Sequence, residues 1–309
     1  MKAVVYERYG SPEVLELREI PKPKPKRNEV LVKIHATTVT AGDWRMRKAD
    51  PFLARLFNGL FKPRRVKILG FELAGVIEEV GQDVATFKKG DEVFASCGFK
   101  FGAYAEYKCI EVNDSIALKP KNMTFEEAAA VPIGGLTALR FIQSSGLKAG
   151  GNILIYGASG SVGTFAVQIA KTIGADVTAV CSTSNVDLVK SLGADEVIDY
   201  TRDDFTKIAS SFDVVFDTVG KTSKSACKTL LKPNGKYVSV TGSPKRGIND
   251  LLHLKELIEA GKLKSVIDRN YSLEQIREAH AYVESFRKKG NVSISVGKSK
   301  HHTLGESIL

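Results

Sequence analysis

Cysteine is scarce in this sequence, and the four that occur, Cys97, Cys109, Cys181 and Cys227, stand far apart with no pair at CxxC spacing. That placement offers neither a zinc ribbon nor a dithiol redox pair, and an apolar content of 43% can build a core without covalent staples. A reduced, cytoplasmic setting is the expectation. Long hydrophobic runs are missing too: none approaches the roughly 20 residues a bilayer-crossing helix needs. The opening stretch from Met1 to Glu7 has no long apolar run followed by small residues, so no secretion signal is expected. A long block of like charge is also lacking. The 45 basic and 35 acidic residues leave a formal charge of +10, but the basic ones are spread out, densest at Lys22 to Arg27, Lys62 to Lys67 and the tail around Lys298 and Lys300. Dispersed charge of this kind reads as a solvated surface able to attract a small anionic ligand, not as a nucleic-acid groove.

What is present divides the 309 residues into unlike parts, a length that suits two domains sharing an interface. The first 120 residues read as strands and turns, with β-rich segments at residues 2–7, 14–19, 29–34, 73–80, 92–95 and 103–110 and a break at Pro21, Pro23 and Pro25. Segments of that kind suit a small antiparallel barrel or sandwich. After Pro120 the chain changes character. From Asn152 onward strands alternate with helices, as in a parallel sheet covered on both faces. Near the end, helical stretches at residues 251–260 and 273–286 precede a β-rich segment, residues 291–296, which has no evident place in the parallel sheet and could return to the first half.

The sharpest motif is Gly157-Ala158-Ser159-Gly160-Ser161-Val162-Gly163, set between an apolar strand and an amphipathic helix. A dinucleotide fold needs a tight turn, a residue without a side chain facing the pyrophosphate, and close helix–strand packing. Aligned to GxGxxG, Ala158 replaces the first glycine, while Gly160 and Gly163 hold the second and third places. Ser159, Gly160, Ser161 and Val162 are therefore candidate phosphate-cradling residues at a helix N-terminus. The end of the following strand decides between NAD and NADP. An NAD site places an acid there; this chain offers Cys181-Ser182-Thr183-Ser184-Asn185. With no acid to repel a 2′-phosphate, and with Ser182 and Ser184 able to donate to it, NADPH is favoured. No Lys or Arg lies in the cluster, so NADH use stays open.

Further motifs carry a family resemblance across nearly the whole chain. They are Gly70-Phe71-Glu72-Leu73-Ala74-Gly75-Val76, Gly90-Asp91-Glu92-Val93, Gly102-Ala103-Tyr104-Ala105-Glu106-Tyr107, Ala129-Ala130-Val131-Pro132, Gly135-Leu136-Thr137-Ala138, Gly193-Ala194-Asp195 and Asp217-Thr218-Val219-Gly220. Together they resemble the medium-chain dehydrogenase/reductase superfamily, in its zinc-free, zeta-crystallin-like quinone-oxidoreductase branch. The resemblance implies an α/β protein with a GroES-like β-barrel catalytic domain over 1–122 and a Rossmann doubly wound parallel-sheet domain over 123–262. Residues 263–309 would form a segment returning to the catalytic domain, with the active site in the cleft between.

The same resemblance assigns roles to residues. Where zinc alcohol dehydrogenases of the superfamily carry metal-binding Cys and His, this chain has Thr40 and Phe71, neither a good zinc ligand. An acceptor that is already electrophilic, a quinone or an α,β-unsaturated carbonyl, is then expected, because hydride addition gives a delocalised anion that solvent can protonate. Thr40 and Asp43 stand at the place of the Asn-Pro-x-Asp that many relatives carry, and are the candidate catalytic residues. Arg45 and Thr137 match cofactor contacts, Tyr200 a 2′-phosphate contact, and Thr218, Val219 and Thr241 the loops on the nicotinamide side. No tyrosine lies between Thr40 and Leu69, which weighs against an acyl-thioester substrate. Relatives often have Lys or Arg at the place of Ser184, and insert a further strand after Val238 that pairs across a dimer axis; its loss leaves homodimerisation open. Two alternatives remain: a non-catalytic NADPH-binding protein of this fold, and a zinc alcohol dehydrogenase. The apolar residues between Asp50 and Arg65 suggest a partly helical flap.

Overall fold

Apolar and β-branched residues punctuated by glycine and proline lay the first part of the chain out as strands. The computed structural model describes residues 1–113, 115–208, 211–242 and 249–297. The strands are β1 (Lys2–Val5), β2 (Glu16–Glu19), β3 (Glu29–Thr38), β4 (Glu72–Val80), β5 (Glu92–Ser96), β6 (Tyr107–Glu111) and β7 (Ile116–Leu118); helices α1 (Ala41–Lys48) and α2 (Ala54–Asn58) lie between β3 and β4. Strand β3 is the hub, antiparallel to β4 and to β6. The β-rich segment expected from Val14 opens instead with a 3-10 turn at Pro12–Val14. Pro12 brings a fixed φ and no amide hydrogen, and the Leu15 amide closes onto its carbonyl at 3.1 Å.

The second half follows a different period. Helices α3 (Phe125–Ala129) and α4 (Val131–Ser145) lead into β8 (Asn152–Tyr156), α5 (Ser161–Ile173), β9 (Asp176–Cys181), α6 (Val186–Ser191), β10 (Glu196–Asp199), β11 (Phe212–Asp217) and β12 (Leu231–Ser239). All five strands are parallel, in the order β10-β9-β8-β11-β12. Both faces are covered, and the pleat shows it. Ile153, Ile155, Val177, Ala179, Val214 and Phe216 enter one core cluster, while Leu154, Val180 and Val215 enter another. In α5, Phe165, Ala166, Ile169 and Ala170 are buried at helical spacing, each larger side chain worth about 2 kcal/mol of removed apolar surface. The strand order reverses between β8 and β11, which opens a crevice at their carboxyl ends, where open α/β sheets bind ligands.

The chain then turns back. Helix α7 (Asp250–Glu259), β13 (Ile267–Ser272), α8 (Ile276–Glu284) and β14 (Asn291–Ser295) follow. Strand β14 does not join the parallel sheet. It pairs antiparallel with β3, Ile294 opposite Thr37, and carries β13 beside it, giving the order β13-β14-β3-β4-β5-β7. No sixth parallel strand occurs among the described residues, so β12 is the sheet edge there. The Ser243-Pro244 end of the turn after Val238, and the tail around Lys298 and Lys300, lie outside the described residues.

Candidate active site

The glycine turn joins β8 to α5, and each glycine has a separate physical reason. Gly157 takes φ +80°, a conformation that strains other residues, and its amide and that of Ala158 both donate to the Val180 carbonyl at 3.1 Å. The tight-turn role thus falls on Gly157, one position before the place the GxGxxG alignment gave to Ala158. Ala158 is fully buried instead. A Cβ on Gly163 would lie 2.2 Å from the Gly157 carbonyl oxygen, so this glycine permits close helix–strand packing. Gly160 differs: a Cβ there meets only the Gly157 oxygen at 3.4 Å and otherwise open space. It is also the N-cap of α5, and no side chain caps that helix. The first-turn amides, including those of Ser161 and Val162, are left for a ligand.

Neighbouring loops brace the turn. The Thr218 hydroxyl donates to the Tyr156 carbonyl at 2.8 Å and the Gly157 carbonyl at 3.1 Å, so it holds the turn in place. Buried Asp217 accepts from the amides of Val219, Gly220 and Thr222 and fixes the neighbouring loop. Val219 is 38% exposed beside Gly157, and Thr241 packs on Gly220 with its hydroxyl on Ser239. Thr137 is half-buried in α4, whose Gly134 lies against Ser161 and Phe165 of α5.

At the end of β9, Ser182 and Ser184 face each other with hydroxyls 3.4 Å apart. Asn185 donates to the hydroxyls of Ser159 and Ser182 at 3.0 and 3.1 Å, and its buried Oδ1 has no partner. Tyr200, just past β10, is 50% exposed and borders a groove of about 360 Å³ lined also by Tyr156, Thr201, Arg202 and Phe205. Asp199 comes near this end from β10, but its carboxylate is taken by the hydroxyls of Thr183 and Thr201.

The candidate catalytic residues come from the barrel. Thr40 and Asp43 form a capping box on α1: the Thr40 amide and hydroxyl donate to Asp43 Oδ2 at 2.9 and 2.7 Å, while the Asp43 amide donates back. Asp43 Oδ1 accepts from the Gly70 amide at 2.8 Å. Burial pushes this carboxyl up to about 6, against the opposing pull of its hydrogen bonds. With every bond spent on structure, Asp43 positions Thr40 and the Gly70–Glu72 turn. Arg45 is exposed on α1, its guanidinium 5.4 Å over the Trp44 ring. Phe71 fills the space beside Gly42 and tilts on Phe101 at 4.1 Å. A catalytic zinc does not fit here. Phe71 offers no donor atom, the Thr40 hydroxyl is engaged, and Glu72 is the one carboxylate left.

Glu72 is fully buried, accepting from the Thr38 hydroxyl and from the Ile133 amide at 2.6 Å. Desolvation pushes its carboxyl from the ordinary 4.5 up to about 8. Between those values the folded chain keeps a proton that the unfolded chain releases, so stability falls as pH rises through the window. Asp43 adds to that slope between its ordinary 3.8 and about 6; Lys288, lowered by burial to about 8, is charged in both states below that pH. A Glu72→Gln variant keeps an acceptor for Ile133 and turns a donor toward Thr38. Its melting temperature is expected to fall much less than the wild type's between about pH 5 and pH 8, as scanning calorimetry would show. Parallel curves for the two proteins would contradict this account.

The structure therefore brings Ser159, Gly160, Ser161 and Val162 to one turn with Thr218 and Val219 packed against it from the next loop, Ser182, Ser184 and Tyr200 to a second locus, and Thr40 and Asp43 to the N-terminus of α1 in the barrel; Arg45 is exposed on that helix. Sequence reasoning missed the contact of the return segment with the glycine turn. Gly290 donates to the Ser159 carbonyl at 2.8 Å and bridges to Gly160, and Asn291 accepts from the Ser161 hydroxyl at 2.5 Å. No local pattern signals contacts across some 130 residues. The flap between Asp50 and Arg65 has only five helical residues, and Phe52, Leu53, Leu56 and Phe61 face solvent.

Comparison with known proteins agrees with this architecture. The family described as "Alcohol dehydrogenase GroES-like domain" matches residues 26–121, and that described as "Zinc-binding dehydrogenase" matches residues 161–285. The chain is 35% identical to the tomato (Solanum lycopersicum) 2-methylene-furan-3-one reductase, over 95% of this chain and 79% of that protein. It is 34% identical to the NADPH-dependent alkenal/one oxidoreductase, chloroplastic, of Arabidopsis thaliana, with the same coverage of both chains, 95% and 79%. Among solved structures, the quinone oxidoreductase from Coxiella burnetii superposes with a TM-score of 0.83 at 29% identity, covering 96% of this chain and 99% of that one.

Proposed function

Because this chain belongs to the medium-chain dehydrogenase/reductase superfamily, in its quinone-oxidoreductase branch, we propose that it reduces a quinone or an α,β-unsaturated carbonyl at the expense of NADPH. The observation that carries the reading is the uncapped N-terminus of α5 behind the open face of Gly160. Residues and cofactor fit. The α5 amides and Ser159 would take the pyrophosphate, Ser182, Ser184 and Tyr200 would flank the 2′-phosphate, and Thr137, Val219 and Thr241 would border the nicotinamide. NADPH, when bound, supplies the hydride.

The remaining work is done by the chain. Thr218 and Asp217 hold the loop that keeps the cofactor crevice in shape. Phe71 and Phe101 make an apolar wall that limits water near the acceptor. The Thr40 hydroxyl proton is committed to Asp43, so Thr40 has none to give the acceptor, and solvent returns the proton after hydride addition. In this reading residues 1–122 and 263–309 form the catalytic unit and 123–262 the cofactor unit. Self-association through the parallel sheet would use one of its two edge strands, β10 or β12, beside which no further strand lies among the described residues. No helix among the described residues is long and apolar enough to cross a membrane, and the four free cysteines accord with a reducing compartment, cytoplasmic in this reading.

The test compares NADPH and NADH oxidation with 9,10-phenanthrenequinone, a short 2-alkenal and a saturated aldehyde, before and after dialysis against a zinc chelator. Turnover of quinone or alkenal with NADPH, unchanged by the chelator, is the expected result. Reduction of the aldehyde alone, or activity lost to the chelator and restored by zinc, would return the protein to the alcohol dehydrogenases.

A further inference from the structure

The hydroxyl cluster that ends β9 contains no cation of its own. The structure supplies one from elsewhere in the chain. Lys289 lies on the return segment between α8 and β14, and its ammonium donates to the Ser184 carbonyl at 3.1 Å, a contact across 105 residues. We infer that Lys289 is the cation that recognises the 2′-phosphate of the cofactor, so that NADPH selectivity is written in the return segment instead of the β9 loop. This rests on the NADPH reading above.

Three features argue for it. The lysine is held at its root: its backbone amide donates to Asp268 Oδ2 at 2.9 Å, and the next amide, of Gly290, donates to the Ser159 carbonyl at 2.8 Å. Gly290 has φ +58°, and a Cβ there would fall 2.4 Å from the Val266 carbonyl oxygen, so the close approach of this segment depends on glycine. The ammonium is unspent. A lysine has three donors, one of them goes to Ser184, and no carboxylate pairs with Lys289 among the described residues. The nearby acid, Asp199, is tied to Thr183 and Thr201 and does not reach for the lysine. Lastly, the place is right. The residues just past the second strand of a dinucleotide fold read the ribose 2′ position, while the pyrophosphate is held a strand away at the helix N-terminus. The hydroxyls of Ser182 and Ser184, 3.4 Å apart, belong to the same loop whose Ser184 carbonyl holds the ammonium, and can share the phosphate oxygens with it.

Binding measurements separate this from a structural tether. Dissociation constants for NADPH, NADH, 2′,5′-ADP and 5′-AMP would be measured calorimetrically with the wild type and with Lys289→Gln, Lys289→Arg, Arg202→Gln and Lys289→Gln/Ser184→Arg, each checked by its melting temperature. The expected result is that Lys289→Gln weakens NADPH and 2′,5′-ADP by about tenfold or more and leaves NADH and 5′-AMP within about twofold. Lys289→Arg should keep the preference, and the double variant, which relocates the charge, should recover it. Raising the salt concentration should erode the wild-type preference and leave the Lys289→Gln variant little affected. Equal losses for both nucleotides would mean that the Ser184 contact merely braces the loop, and would overturn the inference. So would a preference that survives Lys289→Gln and disappears in Arg202→Gln. If the wild type itself prefers NADH, the NADPH reading fails as well; if it prefers NADPH and Lys289→Gln is silent, only the role of Lys289 fails.

Discussion

A Gly160→Val variant is expected to fold normally and to bind NADPH at least about 100-fold more weakly, a loss of roughly 3 kcal/mol. The backbone at Gly160, φ −81° and ψ 179°, is open to any residue, and a Cβ there approaches only the Gly157 oxygen, at 3.4 Å. The protein therefore tolerates the side chain, at a cost under about 1 kcal/mol for a poorer N-cap. The ligand does not, because the branched side chain stands where the pyrophosphate must approach the α5 amides. Gly163→Val is the contrasting case. Its Cβ would sit 2.2 Å from the Gly157 oxygen and 2.7 Å from backbone atoms of Ala158, so it should lose stability along with binding. Fluorescence titration paired with thermal melts distinguishes the two. A Gly160→Val protein that binds NADPH within about tenfold of the wild type would move the pyrophosphate away from this turn.

The second large effect belongs to Asp43. Replacing it with alanine strips acceptors from the Gly70 amide and from the amide and hydroxyl of Thr40. Gly70 cannot easily shift to find another partner: it holds φ +100° with Ala103 and Tyr104 packed against it. Each stranded buried donor costs about 1–3 kcal/mol, so Asp43→Ala should lose about 3–5 kcal/mol in all. The melting temperature should then drop by about 5–10 °C. Turnover should fall with it, since the same bonds set the relative positions of Thr40 and Phe71. Asp43→Asn, which keeps one acceptor oxygen, should lie between. A melting temperature for Asp43→Ala within about 2 °C of wild type would show that these bonds do not secure the wall.

How far the sequence foretold this site depends on how local each signal is. The glycine turn is a seven-residue pattern flanked by a strand and a helix and was legible locally; its place at the switch between β8 and β11 depends on the strand order, which alternation of elements does not determine. Even there, the division of labour among the glycines was not visible: φ +80° at Gly157 depends on both amides reaching the Val180 carbonyl, a partner in another strand. The β-rich segment at residues 291–296 showed its strand character through composition, and its lack of a place in the parallel sheet hinted at a return. Which strand it would join was not encoded nearby; the pairing with β3 follows from packing of the whole barrel. Lys289 illustrates the limit. In the sequence it is one of many dispersed basic residues, and only the fold sets it against Ser184. Asp43 was legible as part of a motif, but its commitment to the Gly70 amide was not, because that bond joins α1 to a turn 27 residues further on.

The late pairing of β14 with β3 has a cost during synthesis. Residues 36–38 emerge early from the ribosome, yet their partners, residues 293–295, are made long after the parallel sheet is complete. Throughout that interval the flank of β3 is an unprotected edge, the kind of surface on which nascent chains aggregate or recruit chaperones. Closure of such distant contacts is slow by nature. The barrel is thus the last part of the molecule to become whole, although its sequence comes first.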